Sequence, residues 1–404
     1  MRWPRQRLET LAADEPYSFV GGPFGSKLTS RDYADEGVPV IRGSNLNNGR
    51  FLSMDDYVFV SEEKVRKDLS SNLAKPNDLV FTQRGTLGQV ALIPEDGIAD
   101  RYVVSQSQMK LTVDERKADR LFLYYYFSSR EAVERILSFT SSSGVPHINL
   151  TVLRNFEVPV PPLSTQRHIA SILSAYDDLI ENNQRRIQLL EQAARLLYKE
   201  WFVHLRFPGH EHVKIKNGVP EGWEKKPLGE LADITMGQSP ESSYYNNEGN
   251  GLPFHQGVSN FGVRFPTHET YCTLKARIAR ARDILFSVRA PVGRINITLD
   301  EIVIGRGLAA IRSKTEQQNW LFYALKSHFF KEDMMGGGAI FAAITKKDLH
   351  EVELVVPTMQ LVSVFQEYAQ PIDREIEVLH FSTVQLIKVH DMFLPRLMNG
   401  EIAV

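Results

Sequence analysis

The chain is one unit written twice, and no other feature limits its possible folds as strongly. Near the start, Trp3, Leu8 and Leu11 match Trp223, Leu228 and Leu231. Gly43, Asn45, Arg50 and Phe51 match Gly257, Ser259 or Asn260, Arg264 and Phe265, with small gaps. Asp78-Leu79-Val80-Phe81 with Arg84 and Gly88 matches Asp283-Ile284-Leu285-Phe286 with Arg289 and Gly293. The aromatic segment from Leu121 to Ser129 resembles that from Trp320 to Ser327, and each copy closes on an apolar run ending in proline, Pro162 or Pro357. A repeat unit of roughly 200 residues means duplicated domains, because solenoids repeat every ~20–50 residues. Within each copy, short β-rich runs (Asp78–Thr82, Gln89–Ile93, Gln108–Val113, Ile284–Val288) stand between Gly, Pro and Asn turns, and Leu121–Phe139 and Gln318–Lys331 read as helices. The fold class expected is α/β or α+β, two similar globular domains with a pseudo-two-fold internal repeat.

Each copy is followed by a long helical pattern. After Gln166 one register carries Ile169, Leu173, Tyr176, Ile180, Asn183, Ile187, Leu190, Ala194, Leu197 and Trp201. After Gln360 the same spacing carries Phe365, Ala369, Ile372, Ile376, Leu379, Thr383, Leu386, His390, Phe393 and Leu397. Unbroken alternation of four and three is the mark of a coiled-coil seam. At ~1.5 Å per residue each seam is roughly 50 Å long. Neither helix can cover that stripe alone, so intramolecular antiparallel pairing is expected, which would separate the globules; the alternative is two ordinary buried helices. The polar seam positions Asn183, Thr383 and His390 admit two readings, register control or a bundle edge. The boundaries expected are 1–162 for the first globular half, 163–207 for the central helix, 208–357 for the second half and 358–404 for the C-terminal helix.

Apolar residues make up 43% of the 404 residues and charged residues 24%, an ordinary globular balance, with net charge −2. That charge does not favour nucleic acid, but local charge on one face decides such binding. A single cysteine, Cys272, excludes an internal disulfide and suits a reducing compartment. No apolar run approaches the ~18–20 residues of a membrane span, and Met1-Arg2-Trp3-Pro4-Arg5 leads into no apolar signal core. A soluble cytoplasmic protein is expected. Catalytic signatures are missing. There is no P-loop, no N-P-P-[YFW] motif for amino-methylating a base, and no G-x-G-x-x-G after a strand. Pro94-Glu95-Asp96 with Glu115-Arg116-Lys117 reads as solvated turns, His210 and His212 lack further ligands at zinc spacing, and Cys272 has no activating neighbour. No catalytic or metal site is expected.

Gly22-Pro23-Phe24-Gly25-Ser26-Lys27-Leu28 followed by Gly37-Val38-Pro39-Val40-Ile41-Arg42-Gly43 resembles the opening of type I restriction-modification specificity subunits. Val219-Pro220-Glu221-Gly222-Trp223-Glu224, Leu228-Gly229-Glu230-Leu231 and Gly237-Gln238-Ser239-Pro240 resemble the opening of that family's second half, and Pro159 to Gln166 leading into a helix is similar too. The second copy departs in having Pro357-Thr358-Met359-Gln360 and in lacking a full counterpart of the glycine loop. The resemblance implies two target recognition domains, each reading one half of a split DNA site. It implies paired helices that space them and dock two methyltransferase subunits, with two motor-nuclease (restriction) subunits added. It places S-adenosylmethionine, ATP and Mg2+ in those partners and none on this chain. Adenine methylation and ATP-dependent cleavage would be activities of the assembled complex. The rival expectations are the recognition part of a fused restriction-methyltransferase, or a coiled-coil adaptor.

If the chain reads DNA, amides and cations on loops are the side chains to examine. In the first copy these are Lys27, Arg42, Asn45, Gln83, Arg84, Ser143 and His147; in the second, Gln238, His255, Gln256, Arg289 and Arg306. The glycine loop before Lys27 is either a backbone approach to phosphate or a tight structural turn. Arg84 and Arg289 recur at the end of the matching strand, suiting either phosphate contact or a buried ion pair. The basic run Lys275, Arg277, Arg280 and Arg282 fits DNA and a solvated face equally. The small-residue stretches Ser141–Gly144 and Gly336–Gly338 suit an adaptable loop or a plain linker. The aromatics Phe122, Tyr124, Tyr125, Tyr126 and Phe127 sit in a helical pattern and read as core.

Overall fold

Apolar runs of three to five residues, cut by Gly, Pro and Asn, are too short for helices and become strands that are covered on both faces. The computed structural model describes residues 3–46, 49–140, 146–216, 218–329, 343–402 and 404. It divides into two compact units, Met1–Asn183 with Ser382–Val404, and Gln184–Phe381.

The strands of the first unit, in chain order, are β1 (Arg5–Arg7), β2 (Phe19–Gly21), β3 (Tyr33–Ala34), β4 (Val38–Ile41), β5 (Val58–Val60), β6 (Leu73–Ala74), β7 (Leu79–Thr82), β8 (Val90–Leu92), β9 (Tyr102–Val104), β10 (Gln108–Leu111) and β11 (Glu157–Pro159). They form an antiparallel four-stranded sheet in the order β2-β10-β7-β8, a five-stranded sheet in the order β3-β5-β4-β9-β6 with β4 and β9 parallel, and a β1-β11 pair. Side chains alternate along β7. Leu79 and Phe81 join the core beneath the helices, while Val80, with Ala91 of its own sheet, packs with Ile41, Tyr102 and Val104 of the other sheet. The helices are a single turn α1 (Glu62–Lys64), then α2 (Arg120–Ser128), α3 (Arg130–Ser138), α4 (Leu150–Arg154) and α5 (Leu163–Tyr198). The helix expected over Leu121–Phe139 is therefore two, because the Ser129 side chain caps a second start by accepting from the Ala132 N–H. Its aromatics Phe122 to Phe127 are core, as expected.

The second unit repeats the plan. After the hairpin β12 (Ile215–Lys216) and β13 (Val219–Pro220) come β14 (Glu224–Pro227), the turn α6 (Leu228–Leu231), β15 (Ala232–Met236), β16 (Tyr245–Asn246), β17 (Leu252–His255), β18 (Tyr271–Cys272), β19 (Ile278–Ala279), β20 (Ile284–Ser287), β21 (Ile295–Ile297), β22 (Ile302–Ile304), β23 (Leu308–Ser313), α7 (Gln318–Phe329), α8 (Lys346–His350), β24 (Glu353–Val356) and α9 (Met359–Met398). The sheet orders are β15-β23-β20-β21 and β16-β18-β17-β22-β19, with a β14-β24 pair, strand for strand those of the first unit. The repeat reaches single glycines. A Cβ on Gly37 would lie 2.3 Å from the Val60 carbonyl oxygen, and one on Gly251 would lie 2.2 Å from that of Cys272, both at positive φ.

Both units contain stretches of α5 and α9, and in each unit these run antiparallel. In the first, the Tyr176 and Phe393 rings are 6.1 Å apart and Asn183 Nδ2 donates to Ser382 Oγ at 3.3 Å. In the second, Tyr198 and Phe365 are 6.0 Å apart, Arg186 bonds Glu375 at 2.5 Å, and Ile187 packs with Ile376 and Leu379. Of the expected seam residues, Ile187, Ile376 and Leu379 are buried, as are the polar Asn183 and Thr383, while Ile180, Leu190, Leu197, Leu386 and Phe393 are half-buried. His390 stands 3.7 Å from Asp177 beside the Tyr125 ring.

Candidate nucleic-acid interface

In each unit, loops distant in sequence meet along one edge where strands of both sheets end. In the first unit Gly22 N–H donates to the Gln108 carbonyl (2.9 Å), Ser105 N–H to Ile41 (3.0 Å), Gln83 N–H to Ser107 (2.7 Å), Gly85 N–H to Pro146 (3.3 Å) and Ile148 N–H to Gln83 (3.0 Å). The glycine loop after β2, the turn after β4, the turn after β7, the β9–β10 turn and the segment before α4 are thereby fixed to one another. A Cβ on Gly22 would lie 1.8 Å from the Ser105 carbonyl oxygen, so only glycine fits where these loops cross. The second unit builds the same edge. Gly237 N–H donates to Leu308 (2.9 Å), Gly305 N–H to His255 (2.8 Å), Gly307 N–H to Gln256 (3.1 Å), Val288 N–H to Gly307 (2.9 Å) and Ile344 N–H to Val288 (2.9 Å). There Ser239 Oγ donates to Gln256 Oε1 at 2.7 Å and accepts from Arg306 N–H at 3.1 Å.

Most of the expected contact residues lie on these edges. Lys27, Arg84 and His147 are exposed in the first unit, with Gln83 half-buried beside them; Gln238, Gln256, Arg289 and Arg306 are exposed in the second. Arg84 bridges to His147 and Arg289 to Ala343 through the backbone, at matching places. Neither arginine is in a buried ion pair, so that reading of their recurrence falls. Arg42 is half-buried and reaches the carbonyl (2.6 Å) and carboxylate (3.1 Å) of Asp56. Ser143 and the run Gly336–Gly338 lie outside the described residues.

Two expected residues point inward. Asn45 is fully buried; its Oδ1 accepts from Arg42 N–H (2.8 Å) and its Nδ2 donates to the Asp55 carbonyl (3.1 Å), so it shapes the turn and offers nothing to a base. His255 ends β17 in the position of Ile41 and is buried. Its Nε2 pairs with His268 Nδ1 at 2.8 Å, and His268 Nε2 with Asp300 at 3.1 Å. Burial, with His268 adding to it, lowers the His255 pKa to about 4. Sequence reasoning passed over Gln106, at the tip of the β9–β10 turn. Its amide holds the carbonyls of Gly25 and Leu28, and it occupies the place that Arg306 takes in the other copy. Aligning Ser105-Gln106-Ser107 with Gly305-Arg306-Gly307 would have found it.

The buried arginine pair of the repeat is Arg50 and Arg264. Arg50 lies over the Phe51 ring and reaches Asp178 (2.5 Å) and Glu181 (3.4 Å) on α5. Beside it Tyr125 donates to Asp177 at 2.7 Å. Arg264 lies over Phe322, pairs with Glu191 on α5 and Asp373 on α9, and donates to the Tyr323 hydroxyl at 2.6 Å, which in turn donates to Asp373 at 2.6 Å. Each clamp fixes a recognition edge's supporting sheet to the helical stretch of its own unit.

The profile described as the type I restriction modification DNA specificity domain matches residues 24–192 and 220–376, once per copy. The chain belongs to this family. Two relatives from Methanocaldococcus jannaschii bear the names of type I restriction enzyme specificity subunits. One, MjaX, is 31% identical over 93% of this chain and 90% of its own length. The other, MjaIX, is 24% identical over 100% and 98%. The crystal structure of the S subunit of a type I restriction-modification system from M. genitalium has the same fold, with TM-score 0.61 at 17% identity over 98% of this chain and 96% of that one. As a member of the specificity-domain family, the chain carries both domains, and both edges, on one polypeptide.

Proposed function

We propose that the chain is the DNA-reading subunit of a type I restriction-modification complex, each of its two recognition domains reading one half of a bipartite site. The observation that carries this is the recurrence of one braced loop edge in both units, bearing exposed arginines and amides. Among the described residues, the guanidiniums of Arg84, Arg289 and Arg306 have no ion pair within the chain, which leaves them for phosphates or base edges. Fixed backbone loops set orientation, while the differing side chains on the two edges give different sequences. The domains are taken as 1–162 and 208–357, and the helices spacing them are α5 (Leu163–Tyr198) and α9 (Met359–Met398), which end before the expected limits of 207 and 404. Leu189, Leu196 and Val203, exposed at seven-residue spacing, support docking of methyltransferase subunits on the helical frame, two per chain, with two restriction subunits joining them. The chain itself is non-catalytic and cytoplasmic; S-adenosylmethionine, ATP and Mg2+ serve the partners. The test is methyl transfer to adenine in duplex DNA by the chain with its methyltransferase subunit. Site-specific transfer only when both are present is expected. Transfer by this chain alone, or transfer without sequence preference in the mixture, contradicts the assignment.

A further inference from the structure

Phe24 is the most exposed of the large apolar side chains described, at 84%. It stands at the tip of the first unit's glycine loop, and the loop on either side is held. Gly22 is wedged against the Ser105 carbonyl and donates to Gln108, Gln106 grips the carbonyls of Gly25 and Leu28, and Leu28 is buried. Beyond it, Asp32 accepts from the backbone N–H (2.7 Å) and hydroxyl (2.9 Å) of Thr29. Gly25, at φ +61, has open space around its Cβ position, so the tip stands clear. The backbone that carries the ring is therefore fixed on both sides. Lys27, Arg31 and Arg84, all exposed and unpaired among the described residues, lie on this loop or its neighbours. Beyond its phosphates, duplex DNA offers an apolar ring two features, the thymine methyl in the major groove and the gap between stacked bases, and a ring carried on a tip braced on both sides is suited to the gap.

We propose that Phe24 is a wedge that enters a base step of the first half-site and unstacks it; this rests on the DNA-reading role above. Among the described residues, the matching loop of the second unit carries no such ring. Two residues past its matching glycine stands Ser239, tied to Gln256 and Arg306. One half of the site is thus deformed and the other read without insertion.

The probe is a duplex selected from a randomised pool by the chain with its methyltransferase subunit. It carries 2-aminopurine at successive positions of the first half-site, the methylated adenine excepted. The wild-type complex should brighten one step; Phe24→Ser should abolish that signal and weaken binding by about ten- to a hundredfold; Phe24→Trp should keep both. Phe24→Ser should melt as the wild type does, since the side chain is exposed. No Phe24-dependent brightening, or full affinity in Phe24→Ser, overturns the wedge and leaves the DNA-reading role standing. Failure of the wild-type complex to select any sequence overturns both.

Discussion

The two arginine clamps occupy the same place in the repeat and are built differently. Arg264 has 2% of its side chain exposed, and its carboxylate partners Glu191 and Asp373 have 9% and 14%. Arg50 is comparably buried at 7%, but its partners Asp178 and Glu181 are 64% and 50% exposed. The second unit seals its ion pairs inside, adding Lys326 to Glu191 at 3.1 Å and Asn319 to Asp373 at 2.6 Å. The first lets water share the charge. Duplication has therefore kept the position of the guanidinium, while the ring it lies over (Phe51 next to it in one copy, Phe322 on α7 in the other) and the anions that answer it have been redrawn from the elements that face it. The edges follow the same rule: fixed backbone, changed side chains.

The largest effect expected is at these clamps. Arg264→Met leaves the buried Asp373 without its cation and Glu191 with Lys326 alone, and should cost about 3–5 kcal/mol. Arg50→Met leaves carboxylates that water can solvate, and about 1 kcal/mol is expected. Calorimetric unfolding of the two variants checks this; equal losses would erase the distinction between a sealed and a shared clamp.

Acid should separate the units next. His255 is held neutral, with a pKa near 4 against an ordinary 6.5, while its counterpart Ile41 does not titrate. A lowered pKa means that the unfolded chain binds the proton more readily. The second unit should therefore lose stability as pH falls from about 6.5 to about 4, by about 3 kcal/mol in all. His380, also lowered mainly by burial, acts in the same direction; His268 and Asp300 are the groups that face His255 along the relay. Stability against pH for the wild type and for His255→Ile, which copies the first unit, tests this. A variant with the same acid slope as the wild type would remove His255 from the account.

A smaller effect is expected where the helices meet in the first unit. Asn183 is buried and makes one 3.3 Å bond to Ser382, so Asn183→Leu should change stability by less than about 1 kcal/mol while loosening the register of α5 on α9. Crosslinking between cysteines placed on the two helices would show added registers; a single register at unchanged stability would make Asn183 a filler. The smallest stability change belongs to the edges. Arg84→Ala and Arg289→Ala should each melt within about 0.5 kcal/mol of the wild type, and each should lower the salt dependence of DNA binding by about one counterion.

The helical seams were legible because they rest on local patterns at fixed spacing, and the duplication because its motifs recur in one order although the offset between the copies drifts. Asn45 and His255 were misplaced because a residue's type says nothing of whether it faces in or out at a strand end; Asn45 needs Asp55 and His255 needs His268 to explain it. Arg50 and Arg264 were visible as a match, but their role depends on partners 128, 73 and 109 residues away. The edge itself is assembled from five loops that meet only in the fold, so Gln106, which braces it, was legible only through its alignment with Arg306. Arg84 and Arg289 were legible as a pair because they follow matched strands, yet only the structure shows that they are exposed.

The central claim is that two copies of one fold read two half-sites separately. The most direct measurement is the methylation pattern of a host genome when residues 1–162 are replaced by the corresponding segment of a family member with a different site. Separate reading predicts that one half of the methylated sequence changes and the other stays as it was. A change in both halves at once would mean that the recognition surface is shared between the copies.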